Sequence, residues 1–525
     1  MNILLIYPEF SPFGFWNYKE VCEIVERKYP AAPLGLITVA ALLPKEWDVR
    51  LIDENTKTLH DSDILWADLV FIGGMLPQQN NFLKLINRVH SLNRKVVVGG
   101  PDPTSQPDVY SEADYLVLGE AEYTIYPFLE DLKNGAQSGI YYPATEKPDM
   151  TESPIPRYDL LDFTDYIMVG VQFTRGCPYN CEFCDIIELY GRKPRSKTAQ
   201  QVIAELDTLY KLGYRGHIDF VDDNFIGHKS KVKKVLHEIK VWSEKHKYPF
   251  FFSTEASINL ADDEELLQLM QDTDFRYVFI GIETADDATL EATQKKQNVN
   301  RSLTGDLDKI QKYGLVIDGG FIIGFDGETR NAARLMVDTV QNGKVVMAMV
   351  GLLHALPNTQ LTRRLKREGR YFENSSTLCA KDESLIDQTT SGLNFITQRP
   401  REEIIEDFVY VVSEIYDPKK YFDRCKELGL HMRIKHRHKP PLSQILITTR
   451  AFFKVIKRLG FRKGVTPLFW RNILIMLFRN PKALEPVVNL MAMYIHFSKQ
   501  SNFIKEIMQS DHILIKQEPK KAVAV

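Results

Sequence analysis

The sequence predicts an α/β protein in three parts: a doubly wound parallel sheet over 1–140, a partial (β/α)6 barrel over 165–365, and a mainly helical region over 366–525. Three observations carry this prediction. Continuous apolar runs alternate with helix-length segments in two successive series; such runs are strands covered on both faces, as in parallel sheets. Between the series, 141–164 holds Pro143, Pro148, Pro154 and Pro156 and reads as a linker. From about residue 366 the apolar spacing becomes helical and clear strands stop. A chain of 525 residues is also too long for one core, and length alone fits about three domains.

In the first series, strands are predicted at 3–7, 49–52, 69–72, 95–98 and 115–118, with helices at 33–43 and 81–92. Five strands make a flavodoxin-like layer, which binds ligands at the carboxyl ends of its strands. The turns at those ends are Gly73-Gly74, Gly99-Gly100-Pro101 and Gly119-Glu120. Glycine lets backbone approach a ligand closely; the same residues also suit tight strand-to-helix turns with no ligand. In the second series, strands fall at 167–173, 218–221, 250–253, 278–280, 321–323 and 349–353, with helices at 199–212 and 229–245. Barrels of this kind do their chemistry at the carboxyl ends of the strands.

Composition narrows the function. The net charge of −3 gives no pull toward nucleic acid, and none is expected as a partner. Of six cysteines, Cys177, Cys181 and Cys184 cluster, while Cys22, Cys379 and Cys425 are scattered; this is no secreted disulfide framework. The opening MNILLIYPEF lacks a charged n-region and a cleavage site and reads as a buried strand. No apolar run reaches the roughly eighteen residues of a spanning helix. A reducing cytoplasm is the expected compartment.

The central motif is Thr174-Arg175-Gly176-Cys177-Pro178-Tyr179-Asn180-Cys181-Glu182-Phe183-Cys184, directly after the first barrel strand. Three thiolates in one loop can converge on a common centre. Iron–sulfur clusters normally take four cysteines; here the fourth is missing locally, which leaves one iron open to a ligand. The competing reading is zinc with a distant fourth ligand, but zinc cysteines more often come as two pairs and no second pair exists.

CxxxCxxC with an aromatic before the last cysteine resembles the radical S-adenosylmethionine superfamily. The resemblance implies a [4Fe-4S] cluster on Cys177, Cys181 and Cys184 whose open iron chelates S-adenosylmethionine, with an electron donor of flavodoxin or ferredoxin type. Cleavage of the sulfonium then gives a 5′-deoxyadenosyl radical. Further stretches match in order: Phe220 to Phe225 after the second strand, Glu255 after the third, Gly281-Ile282-Glu283 after the fourth, Gly320 to Gly324 in the fifth, and Pro357 to Leu361 after the sixth. Asn358 stands where relatives usually have glycine. The family pattern makes Glu255, Glu283 and Gly324 candidates for holding S-adenosylmethionine. Glu255 and Glu283 have the alternative of pairing with a barrel Arg or Lys, and Asp222 and Asp223 that of capping the next helix. Tyr190, Arg192 and His354 lie near strand ends, and either a structural or a substrate-facing role suits them; no acid or base is singled out.

A doubly wound layer in front of such a barrel resembles the cobalamin-binding class of these enzymes, on Pro33-Leu34-Gly35-Leu36, Gly99-Gly100-Pro101 and Gly119-Glu120-Ala121-Glu122. The likeness implies cobalamin near Gly99, Gly100, Gly119 and Glu120. The histidine of a DxHxxG motif is absent from the loop 8–14, and His60 is the nearest substitute; in this class the lower face of cobalt often lacks a protein ligand. The resemblance implies that one S-adenosylmethionine methylates cob(I)alamin, a second yields the radical, and a substrate carbon radical takes the methyl. A cyclisation or rearrangement without methyl transfer, or a non-catalytic cobalamin or cluster sensor, would use the same scaffold. A methylthiotransferase would carry a second cysteine trio in front of the barrel, where only Cys22 stands.

Between Leu428 and Leu484 there is no Asp or Glu, while thirteen Lys and Arg interleave with Phe, Leu, Ile and Trp. Basic amphipathic helices suit a membrane surface with anionic lipid; an ordinary helical domain suits the pattern equally. The stretches 391–396 and 415–422 resemble the C-terminal region of hopanoid C-2 methylase-like proteins. A lipid or isoprenoid substrate, and peripheral contact with the inner membrane face through 428–484, are the corresponding expectations.

Overall fold

The computed structural model describes residues 1–509 apart from 13, 144–145, 373–388 and 436. Cys379 and the tail 520–525 lie outside the described residues. The chain forms two parallel sheets and a helical C-terminal layer.

The first sheet contains β1 (Asn2–Tyr7), β3 (Asp48–Asp53), β4 (Leu69–Gly73), β5 (Lys95–Gly99), β6 (Tyr115–Val117) and β7 (Gly139–Tyr141), in the order β3-β1-β4-β5-β6-β7. Every pairing is parallel. Alternate residues of each strand feed two separate cores: Leu4, Ile6, Val70, Ile72, Val96 and Val98 on one face, Ile3, Leu5, Leu69, Phe71, Val97 and Val117 on the other. Both faces are therefore covered by helices, which is why these strands read as unbroken apolar runs. The five predicted strands are present. β7 adds a sixth that only three residues announce.

The second sheet runs β2-β8-β11-β12-β13-β14-β15. It comprises β2 (Tyr29–Ala31), β8 (Tyr166–Val171), β11 (Gly216–Phe220), β12 (Phe250–Ala256), β13 (Phe275–Glu283), β14 (Val316–Ile323) and β15 (Met347–Leu352). All six predicted barrel strands are here, and β2 joins them from the front of the chain, pairing Tyr29 with Tyr166 and Ala31 with Met168. Pro30 lacks an N–H and so suits this edge position. A short antiparallel ribbon, β9 (Thr174–Arg175) with β10 (Arg195–Ser196), frames the cysteine loop.

Alternation along the barrel strands marks an interior space. On β13, Val278, Ile280 and Ile282 are fully buried, while Tyr277, Phe279 and Gly281 on the opposite side are partly open. One continuous core joins the barrel's outer face to the C-terminal helices Arg401–Ile415, Pro418–His431, Leu442–Leu459, Thr466–Arg479 and Leu484–Gln509. Among the described residues no helix is long and apolar enough to cross a membrane.

Candidate functional site

The cysteine loop is held by two neighbouring carboxylates just beyond β11. Asp222 accepts the backbone N–H of Phe173 at 2.8 Å, that of Thr174 at 3.0 Å, and the Thr174 hydroxyl at 2.9 Å. Asp223 accepts the N–H of Gly176 at 2.7 Å. Burial raises both carboxyls, Asp222 to about 7 and Asp223 to about 6. Neither is the cap of the following helical turn, which begins after Asn224 without a side-chain cap. Gly176 has φ +91°, and a Cβ there would lie 2.8 Å from the Gly191 carbonyl oxygen; only glycine fits a turn so close to its neighbour.

Cys181 is buried, and Cys177 and Cys184 are half-buried. The Asn224 amide donates to Cys177 Sγ and the Gln297 amide to Cys181 Sγ, each at 3.7 Å. Around them the loop is clamped: Glu182 pairs with Arg364 at 2.8 Å, the Asn180 amide donates to Gln294 at 2.6 Å, and Phe183 packs on Phe325. Burial pushes the Cys181 thiol up and the Cys184 thiol well up. A bound metal centre reverses that preference, because thiolates are the ligand form and coordination releases their protons. Among the described residues no three His, Cys, Asp or Glu side chains gather to hold a single ion; a cube takes each thiolate on its own iron. Three sulfurs on one clamped loop, two of them met by amide donors, fit such a cluster.

The carboxyl ends of the two sheets face each other across this loop. Arg175 reaches Glu120 at 2.9 Å and Glu122 at 2.8 Å, and Arg195 reaches Glu120 at 2.8 Å. The Asn358 amide, beyond β15, donates to the Ser105 carbonyl, beyond β5, at 2.8 Å. Glu120 thus holds the two sheets together. The predicted glycines line the same gap. Gly99 ends β5, and a Cβ on it would lie 2.8 Å from the Val117 carbonyl oxygen. Gly100 has φ +106°, with the Gly74 oxygen 2.9 Å from its would-be Cβ, and Gly119 has φ +80° with Pro143 at 2.6 Å. These close approaches are all to protein atoms: bare glycine backbone lets the loops at the carboxyl end of this sheet pack on one another, and the same loops present the Glu120 and Ser105 that meet the barrel. In the loop after β1, Pro8 accepts from Asn55 and Gln78, and His60 is exposed at the start of the helix Asp61–Trp66.

Inside the barrel, Glu255 is open to the interior space and makes no hydrogen bond or ion pair to any described residue. Desolvation raises its carboxyl to about 8, with Asp219, Asp223 and Asp222 adding repulsion. Lower in the barrel the Ser253 hydroxyl donates to Asp219 and meets His217 Nε2 at 2.7 Å. Glu283 behaves differently: it pairs with Lys295 at 2.6 Å. Glu283 carries φ +65° at a break in register between Gly281 and Glu283. A Cβ on Gly281 would lie 2.9 Å from Lys295 Nζ. Lys295 is held well above its usual range, against its burial, by Glu283, Cys181 and Cys184.

Gly324 has φ +104°, its N–H donates to Glu328 at 2.8 Å, and Leu393 covers it. His354 Nδ1–H donates to the Ser391 carbonyl oxygen at 2.9 Å, and burial lowers the imidazole to about 4. Tyr190 is half-buried with its carbonyl bonded by Arg195, and Arg192 is exposed beside Pro178. Asn224 stands in the Phe220–Phe225 stretch, but its reach to Cys177 was not legible there. Lys295 and Gln297 were not singled out by the sequence; they carry no local motif and come to the cysteines only through the fold.

Residues 22–128 match the family model of the B12 binding domain, 171–340 that of the radical SAM superfamily, and 359–510 a domain of unknown function. The chain is 44% identical over 511 residues to an uncharacterized methyltransferase of Synechocystis sp., covering 96% of this chain and 93% of the relative. It is 31% identical to the hopanoid C-2 methylase of Rhodopseudomonas palustris, covering 91% and 90%. In fold it is similar to the radical S-adenosylmethionine methyltransferase TsrM from Kitasatospora setae, solved with cobalamin and a [4Fe-4S] cluster. That match has a TM-score of 0.62 at 14% identity, covering 92% of this chain and 99% of that one. With a clamped cysteine loop, a B12-binding layer facing it and relatives matched nearly end to end, the chain belongs to the cobalamin-binding radical S-adenosylmethionine methyltransferase family.

Proposed function

We propose that this cobalamin-dependent radical methyltransferase places a methyl group on an unactivated carbon of a lipid or isoprenoid substrate of hopanoid-like type. The observation that carries the methyl-transfer reading is the meeting of the two sheets' carboxyl ends over the cysteine loop. The lipid reading is supported by the likeness to the hopanoid C-2 methylase, which runs through the C-terminal region as well.

When bound, the cluster, S-adenosylmethionine and cobalamin supply the radical and the methyl carrier; the hard chemistry is theirs. The chain's own part is positioning. Cys177, Cys181 and Cys184 are the proposed cluster ligands, with Asn224 and Gln297 donating to sulfur and Asp222 and Asp223 fixing the loop. Glu255, open and lacking a partner, suits a cationic amino group, which would draw its proton off. The Glu283–Lys295 pair and the Gly324 turn, at the carboxyl ends of the next two barrel strands, would orient the cofactor. Gly99, Gly100 and Gly119 would let the corrinoid edge approach the backbone, with Glu120 holding that edge against Arg175 and Arg195. A flavodoxin or ferredoxin type protein would deliver the electron.

Anaerobically reconstituted protein, given a low-potential reductant and methyl-labelled S-adenosylmethionine, should yield 5′-deoxyadenosine, and label should enter a lipid fraction. Lipid extracts of a deletion strain should lack a methylated species present in the parent. Identical lipid profiles would remove the lipid assignment. Product without label would favour a rearrangement.

A further inference from the structure

The helices Leu442–Leu459 and Thr466–Arg479 carry apolar residues on two opposite sides. One side is core: Ala451, Val455 and Leu459 on the first, Phe469, Ile473 and Met476 on the second, are buried. The other side has no covering element among the described residues. Leu442, Leu446 and Phe453 on the first helix are 81%, 65% and 64% exposed, and Phe461 in the turn is 77% exposed. On the second helix Trp470, Leu474, Leu477 and Phe478 follow at spacings of four, three and one, with Phe478 at 83%. The Trp470 indole donates to the Gly460 carbonyl at 3.1 Å, which brings the second stripe against the turn where the first one ends. Folding accounts for the buried side and leaves the exposed side unexplained.

Charge identifies what covers it. Arg450 and Lys454 pair with Glu26, Arg458 with Glu23, and Arg471 with Asp423. Lys457, Lys463, Arg479 and Lys482, at the ends and turn of the apolar stripe, have no carboxylate partner among the described residues, and no Asp or Glu interrupts 429–483. A second copy of the chain docked through this patch would set cations against cations. We infer that this helical hairpin is a membrane-surface dock: it lies on an anionic phospholipid leaflet with Phe461, Trp470, Leu474 and Phe478 in the headgroup boundary and the four unpaired cations on the lipid phosphates. Apolar insertion and basic attraction are the two signals that stable peripheral binding needs.

The test uses the full-length, cluster-reconstituted protein and vesicles of phosphatidylcholine with or without about 30% phosphatidylglycerol, an anionic fraction that gives a strongly negative surface. The protein should co-sediment with anionic vesicles, and binding should weaken at least about tenfold on neutral vesicles or in high salt, which screens surface charge. Two variants separate the signals: F461S/F478S removes insertion and K463E/K482E removes attraction. Each should weaken binding at least about tenfold with melting temperature and iron content unchanged. Equal binding by the variants, or no binding by the parent, would overturn the dock. So would a dimer in light scattering that either variant dissociates, since the second copy would then be the occupant. The vesicle readout is independent of catalysis, so its failure leaves the methyltransferase reading untouched.

Discussion

Asp222 is a residue whose role changes once the fold is known. In the chain it precedes a helical turn and resembles a cap; in space it collects three hydrogen bonds from the strand that launches the cysteine loop. Asp222→Ala should cost about 2 kcal/mol, the range for buried bonds to a carboxylate, and should lower iron per chain after reconstitution, measured by metal analysis. Glu255 gives a pH signature. Its carboxyl stays protonated in the folded chain up to about 8, against 4.5 when free. The folded state therefore binds a proton that the unfolded state has lost. Glu255's contribution is fully present below pH 4.5 and is lost as pH rises through about 8. The melting temperature of the cofactor-free protein should fall over that interval, and Glu255→Gln should flatten the fall; an equal slope in the variant would show that other groups set it. The three cysteines were legible because their spacing is local. Lys295 was not, since its partner Glu283 lies twelve residues away, just past a register break, and nothing in the intervening sequence joins them.

At the scale of elements, long apolar strands were readable and short ones were not. β1, β4 and β5 are buried on both faces and announce themselves as apolar runs. β2 and β7 have three residues each, and β2 contains a proline, so neither develops a pattern; long-range pairing alone makes them strands. The glycine turns were legible as turns, and their strain became visible only with coordinates. Gly119→Ala forces a side chain into φ +80° with Pro143 at 2.6 Å. It should destabilise the chain by about 1–3 kcal/mol. Corrinoid binding, followed by absorbance, should weaken alongside. Gly135→Ala, also at positive φ but with open space around it, controls for backbone strain alone.

For the whole molecule, the decisive feature is how the two sheets are joined. Glu120, Glu122, Arg175 and Arg195 form a nearly dry network, with Glu120 2% exposed and Arg175 11%. Removing one member strands the others. Glu120→Ala should cost about 3–5 kcal/mol, as for breaking a buried ion pair, and should open the 141–164 stretch to limited proteolysis before the barrel itself unfolds. None of this was legible in the sequence, because the partners are 55 and 75 positions apart.

β2 has a further consequence. By zippering residues 29–31 onto β8, the front layer is stitched into the margin of the back one in addition to the covalent tether. Parting the two halves like the covers of a book would have to break these strand pairings as well as stretch the tether, so the seam at β2 resists that hinge motion.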